Sequence, residues 1–170
     1  MKLIEPTISY KESFLKFITD VKMTGYESYE LYKEAEKNFD KYLQNIINES
    51  RGINLPAKWV PCSSFWLINE YEEVVGVIRI RHRVNNDYLM KLGHIGYEVK
   101  STCRKKGYGT KLLEFGLVEA HKLGIRKVLL TCDKDNKASI RVIEKNQGVY
   151  KEKIFDDELG KYIIQYQICL

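Results

Sequence analysis

A chain of 170 residues can bury a substantial core but would be crowded as two domains, so residues 1–170 are expected to form a single unit. With 44% apolar and 30% charged residues the chain is no disordered polymer, and a formal charge of +5 suits an anionic small molecule as readily as nucleic acid. Cys62, Cys103, Cys132 and Cys169 are scattered without a CxxC or a neighbouring His at metal-ligand spacing, which excludes a stapled mini-fold, predicts reduced thiols and leaves no metal site.

Lys2 to Thr7 reads as a short first strand. Lys11 to Lys22 follows as a helix with Phe14, Leu15, Phe17, Ile18 and Val21 on one stripe. After Thr24-Gly25, Ser28 to Glu49 predicts one long amphipathic helix, with Tyr29, Tyr32, Ala35, Phe39, Tyr42, Leu43 and Ile46 at three- and four-residue spacing. Arg51 to Pro61 is loop-like. Ser64 to Asn69 and Val74 to Arg81 predict antiparallel strands around the polar turn Glu70 to Glu73, and His94 to Val99 predicts a third strand after Asn85-Asn86-Asp87. Thr110 to Leu123 predicts a helix stopped by Gly124, Lys127 to Cys132 a buried strand, and a further helix runs to about Asn146 ahead of Gly148. Val149 to Phe155 and Tyr162 to Cys169 close the chain as a hairpin around Asp156-Asp157-Glu158-Leu159-Gly160. The order β-α-α-β-β-β-α-β-α-β-β describes an α+β sandwich on a mixed, mostly antiparallel sheet. There is no run of about 18 apolar residues and no signal-like stretch after Met1, so a cytoplasmic protein without a membrane partner is expected.

One stretch carries chemistry. Arg104-Lys105-Lys106-Gly107-Tyr108-Gly109-Thr110 lies where a strand gives way to a helix, and the first helical turn offers unpaired N–H groups at the positive end of its dipole. Gly107 and Gly109 clear side chains from the backbone and permit a nest of amides, while Arg104, Lys105 and Lys106 add positive charge. A basic loop that merely turns the chain into a helix is the plain alternative. Two other phosphate loops are excluded: the dinucleotide fingerprint needs a third glycine where Leu112 stands, and the P-loop needs Gly-Lys followed by Ser or Thr, whereas Gly107 leads into Tyr-Gly-Thr-Lys.

With Glu98-Val99, four loop residues, and then Arg104, Gly107 and Gly109 in the spacing Arg-x-x-Gly-x-Gly, the chain resembles the GNAT acetyltransferase superfamily. Gly93-His94-Ile95-Gly96-Tyr97 and Thr131-Cys132-Asp133-Lys134-Asp135-Asn136 are more specifically similar to a bacterial group of GNAT proteins known mainly as predicted acetyltransferases. The resemblance implies acetyl-CoA as cosubstrate, without a metal, with the pantetheine arm along Tyr97, Glu98 and Val99. The pyrophosphate would then lie on Arg104, Lys105, Lys106, Gly107, Tyr108, Gly109 and Thr110. It also implies that Asn136, at the start of an Asn-x-x-Ser helix with Ser139, contacts the cofactor. An Asn that only caps the helix is the alternative, and the two roles are compatible.

The family pattern also breaks. Ile143 stands where many members carry a Tyr that protonates the departing thiolate, and Thr131 where some carry a Glu base. A thiol of pKa about 8.5 leaves readily as thiolate, so the missing acid is tolerable. His94 and Glu98, evenly spaced on one face of the strand before the loop, are the candidate bases, against a structural histidine and a charge at a strand end. A backbone N–H near Val99 is the candidate donor to the carbonyl oxygen. His82, among Arg79, Arg81 and Arg83, points to an acidic substrate or to a solvated strand face. Tyr26, Tyr29 and Tyr32 suggest either an acceptor cover or core.

The leading expectation is N-acetyl transfer from acetyl-CoA to a primary amine of a small molecule, peptide or protein. A non-catalytic CoA-binding module is the alternative, and the oligomer is left open, a homodimer included. Aromatics are not interleaved with the basic cluster, which argues against nucleic acid as a partner.

Overall fold

A computed structural model describes residues 1–25, 27–157 and 159–170. Tyr26 of the tyrosine-rich segment and Glu158 of the last turn lie outside the described residues. In chain order the elements are β1 (Lys2–Ile4), α1 (Lys11–Met23), α2 (Lys33–Lys37), α3 (Phe39–Ser50), β2 (Cys62–Ile68), β3 (Val74–Arg81) and α4 (Asp87–Leu92). They continue with β4 (Ile95–Val99), α5 (Tyr108–Lys122), β5 (Lys127–Asp133), α6 (Lys137–Lys145), β6 (Val149–Asp156) and β7 (Lys161–Cys169).

The long helix expected over Ser28 to Glu49 is broken. A 3-10 turn at Glu27–Leu31 leads into α2, and Asn38, extended at φ −151 and ψ 96, starts α3 afresh with its side chain accepting from the Lys41 amide. An Asn that satisfies an orphan amide favours a helix start over helix continuation, and the apolar spacing simply runs across the break. A second departure is α4, which the polar run Asn85-Asn86-Asp87 hides; Asn86 caps it by accepting from the Leu89 amide.

The strands form an α+β sandwich in two sheets, β1-β2-β3-β4 and β5-β7-β6, and every ladder is antiparallel. Alternation along β2 and β3 sends successive residues to opposite layers. Leu67, Ile78 and Ile80 pack with Leu112, Leu113 and Leu117 of α5, whereas Trp66, Ile68 and Val77 pack with Phe14, Phe17, Phe39 and Tyr42 of α1 and α3. Trp66 is fully buried with its ring stacked on Phe14, centroids 4.2 Å apart. Gly116 lets α5 lie against β3, since a Cβ there would come within 2.2 Å of Ile78. Among the described residues no helix is long and apolar enough to cross a membrane.

Candidate active site

The site begins where the two sheets meet and part. His94 spans the join: its carbonyl accepts from Arg81 of β3 (2.8 Å), while its amide donates to the Leu129 carbonyl of β5 (2.7 Å). Its ring completes the pinch, with Nδ1 accepting from the Leu129 amide at 3.0 Å. That bond fixes the proton of the neutral ring on Nε2. Burial, reinforced by Arg81, lowers its pKa, so His94 sits here as a neutral tie between the sheets. Gly93 makes the tie possible, pairing with Leu130 at φ 72 and ψ −179, where a Cβ would stand 2.7 Å from the Leu129 carbonyl oxygen.

Beyond His94 the strands separate. The Lys100 amide donates to Val75, so the pairs alternating from it, Val77 with Glu98 and Arg79 with Gly96, direct their main-chain groups at β3. The amides and carbonyls of Ile95, Tyr97 and Val99 therefore face away from β3, along the opening. On β5 the Leu170 amide donates to Arg126, and the same alternation turns the main chain of Thr131 toward that opening. Two strand edges, with main-chain groups that their own ladders leave unpaired, thus line one cleft. The Thr131 hydroxyl is buried without a hydrogen-bond partner among the described residues.

At the C-terminal end of β4 the chain passes through a 3-10 turn, Ser101–Cys103, anchored by Asp20 of α1, which accepts from the Ser101 amide (2.6 Å) and hydroxyl (2.5 Å). Arg104 folds back, its Nε donating to the Val99 carbonyl at 3.2 Å. Lys105 has φ 61 and Gly107, the N-cap of α5, φ 85, so the loop makes two left-handed residues before the helix. Gly107 offers no side-chain cap to the first amides of α5, which leaves Tyr108, Gly109 and Thr110 with the unspent donors of a helix start. Arg104, Lys105, Lys106 and Gly107 are exposed. Tyr108 turns its ring into the core, its hydroxyl 3.5 Å from Glu70, so only its amide faces the loop. Gly109 is set by packing: a Cβ would meet Val142 of α6 at 3.2 Å.

The start of α6 lies across the cleft from β4. Asn136 is exposed and caps the helix, accepting from the Ser139 amide at 3.0 Å, as the capping alternative required. The Ser139 hydroxyl is 2.8 Å from the Tyr97 hydroxyl, which ties β4 to α6, and burial pushes the Tyr97 phenol up to about 12. Ile143 is buried in the core. No acidic side chain stands at that point of the helix.

The opposite face of β4 carries Glu98. Its carboxylate accepts from the Ser28 hydroxyl and, at 2.6 Å, from the Tyr32 hydroxyl. Burial holds the Tyr32 phenol well above its ordinary range, so it is a neutral donor. The Arg79 guanidinium lies 5.9 Å from the Tyr32 ring centroid. His82 faces the other way, with Nε2 2.8 Å from the Ser63 hydroxyl. Arg79 of β3 therefore points at the α1–α3 layer, and His82, just past the strand, away from it. Sequence reasoning missed Ser28 and the bond that Tyr32 donates to the Glu98 carboxylate; the only signal for Tyr32 was membership of a tyrosine-rich segment.

The sequence model of the Acetyltransferase (GNAT) family matches residues 26–149, nearly three quarters of the chain, and the chain belongs to that family. It is an acyltransferase whose cosubstrate is acetyl-CoA. Solved structures share the fold. RimL, a ribosomal L7/L12 alpha-N-protein acetyltransferase in complex with coenzyme A, superposes with a TM-score of 0.73 at 16% identity, covering 99% of this chain and 93% of that one. The microcin C7 self-immunity acetyltransferase MccE, in complex with acetyl-CoA and AMP, gives 0.72 at 15% identity over 99% and 91%. RimJ of Mycobacterium smegmatis, in complex with CoA-disulfide, gives 0.72 at 16% identity over 98% and 80%. No curated protein sequence matches the chain.

Proposed function

We propose that this acetyltransferase binds acetyl-CoA in the β4–β5 cleft and passes its acetyl group directly to a primary amine held on the Glu98 face. The observation that carries the reading is the coincidence of a strand edge outside the ladder at Ile95, Tyr97 and the Val99 amide with an uncapped helix start at Gly107 to Thr110. The residues fit the cosubstrate's parts. A pantetheine amide finds main-chain partners on the β4 edge, and a pyrophosphate finds amides and the cations of Arg104, Lys105 and Lys106. Asn136 and Ser139 border the same cleft from α6. When bound, acetyl-CoA supplies a thioester whose carbonyl carbon is the electrophile.

The chain's own groups divide the remaining work. Glu98, held by Ser28 and Tyr32, accepts the ammonium proton so that the amine attacks as a free base. The Val99 amide, on the open edge, donates to the carbonyl oxygen as negative charge gathers there. The C–S bond breaks as the C–N bond forms, and the second proton shed by the nitrogen passes through water to the departing thiolate, since Ile143 offers none. His94 ties the sheets and takes no proton through Nδ1.

Incubating the protein with acetyl-CoA and a broad amine panel while following free thiol tests this reading. Turnover with at least one amine is expected; none with any amine refutes transfer. Ile143 and Thr131 in place of acid and base favour the second reading, a module that holds coenzyme A without chemistry. Calorimetry showing tight acetyl-CoA binding together with absent turnover would establish it.

A further inference from the structure

On the α3 side of the sheet lies a cavity of about 430 Å³ that the cleft does not use. Its floor is Ser64 and Arg79, paired across β2 and β3, and its walls are Tyr32, Tyr42 and Glu49, with Trp59 of the Arg51–Pro61 loop at the rim. Arg79 in turn pairs with Gly96, two residues along β4 from Glu98, and its Nη2 would lie 3.9 Å from a Cβ at Gly96. The guanidinium thus reaches over β4 at Gly96, in ordinary van der Waals range. Two strand residues span roughly 7 Å, so the cavity adjoins the Glu98 carboxylate, with Tyr32 as the wall common to both.

Arg79 is out of place as a structural residue. It is largely buried, yet among the described residues no carboxylate oxygen lies within 4.0 Å and no hydrogen bond holds it; its neighbours are the face of the Tyr32 ring and, at longer range, the attractive charge of Glu98. A buried guanidinium normally spends its fork of donors on an acid, and leaving it unspent costs stability. Glu49 faces the same cavity and is likewise beyond 4.0 Å; burial raises its pKa, against the attraction of Arg79 and Arg81. An anion seated on Arg79 therefore lies beside a carboxylate, which tolerates a single negative charge and opposes a dianion. Trp59, Tyr42, Ile46 and Ile53 give the chamber an apolar side, while Glu34, Asn45, Asn48 and Asn54 line the remainder.

We infer that the acceptor is an amino-carboxylate, an amino acid or its close analogue with an apolar or aromatic side chain, whose carboxylate seats on Arg79 while its amine reaches Glu98. This rests on the proposed transfer for the role of Glu98, but not for the binding of the carboxylate. A phosphorylated amine, a polyamine or a bare alkylamine is disfavoured: the first by Glu49, the others by an unpaired Arg79.

The test compares matched ligands on the wild-type chain with coenzyme A present and absent: an amino-acid panel, L-phenylalaninamide, phenethylamine, spermidine and phosphoethanolamine, each by calorimetry and then by acetyl transfer. A carboxylate on a guanidinium fork should favour at least one amino acid over its own amide by about tenfold or more in affinity. Arg79→Met should collapse that ratio and Arg79→Lys should restore part of it, with coenzyme A binding reporting that each variant is folded. Equal affinity for acid and amide, tightest binding of the phosphorylated amine or of spermidine, or a preference that survives in R79M overturns the inference, as does failure of every amino acid to bind. Carboxylate binding without turnover would refute the proposed transfer and leave this assignment standing, because binding is read separately from catalysis.

Discussion

Replacing Gly93 by Ala tests whether the join between the sheets depends on one residue. Gly93 sits at φ 72 and ψ −179, a region that residues with a Cβ almost never occupy, at a cost of about 1–3 kcal/mol. Its Cβ would also stand 2.7 Å from the Leu129 carbonyl oxygen, and that oxygen is held by the His94 amide and cannot swing aside. Forcing an atom into packed backbone adds about 1–3 kcal/mol. Taking the middle of each range gives about 4 kcal/mol, or a fall in Tm of about 8–16 °C for a chain of this size. Gly124 provides the control: it has φ 80 with nothing within 4 Å, so Gly124→Ala pays for the dihedral alone, about 1–2 kcal/mol. Denaturant titrations at constant m separate the two, and coenzyme A calorimetry should show weaker binding only for G93A, whose cleft is misaligned. If G93A and G124A agree within about 0.5 kcal/mol, the close approach is not what holds the sheets in register.

Four further outcomes are expected. Gly107→Val should lower stability by about 1–2 kcal/mol yet weaken coenzyme A binding at least tenfold by calorimetry, because φ 85 is needed to aim the first amides of α5 while no neighbour obstructs a side chain. Glu98→Gln should lower kcat by about 100-fold or more at nearly unchanged acetyl-CoA KM, measured by thiol release. Tyr97→Phe should cost about 1 kcal/mol in denaturant unfolding, the worth of its 2.8 Å bond to Ser139. Burial lowers the folded-state pKa of His94 below 6.5, so the unfolded chain binds the proton first as pH falls. Its contribution is fully present above 6.5 and lost as pH drops through the folded-state value; His94→Gln should flatten that loss in midpoint-against-pH curves, leaving the part due to His82.

Much of this molecule is legible in order and period. Val74–Arg81 forms with the bounds expected from sequence, and α1 and α5 lie within two residues of theirs, because each carries a clean apolar stripe closed by Gly or a polar turn. The break at Asn38 is not legible that way, since Ala35, Phe39 and Tyr42 keep helical spacing across it and only the bond from Asn38 to Lys41 decides. The short α4 hides in a polar run for the same reason: six residues give too little period to read.

The loop of the site was readable because its glycines and cations are consecutive, although the two glycines act differently, Gly107 through its dihedral and Gly109 through contact with Val142. The Glu98 face was not, because its partners come from far along the chain: Ser28 is 70 residues away and Tyr32 is 66. Arg79 shows the limit of reading charge along a strand. Arg79, Arg81 and Arg83 look like a wet face, yet the α3 layer covers the side on which Arg79 stands.

The tie at His94 and Leu129 also has a mechanical consequence. The β-structure is two rigid plates joined along a short seam, with free margins running out from it. A molecule laced along those margins fastens both plates at once and acts as a rivet. Saturation at about a hundred times its Kd would add about 2.7 kcal/mol to resistance against unfolding, and the largest gain in protection from exchange should fall on the amides of Tyr97, Val99 and Thr131.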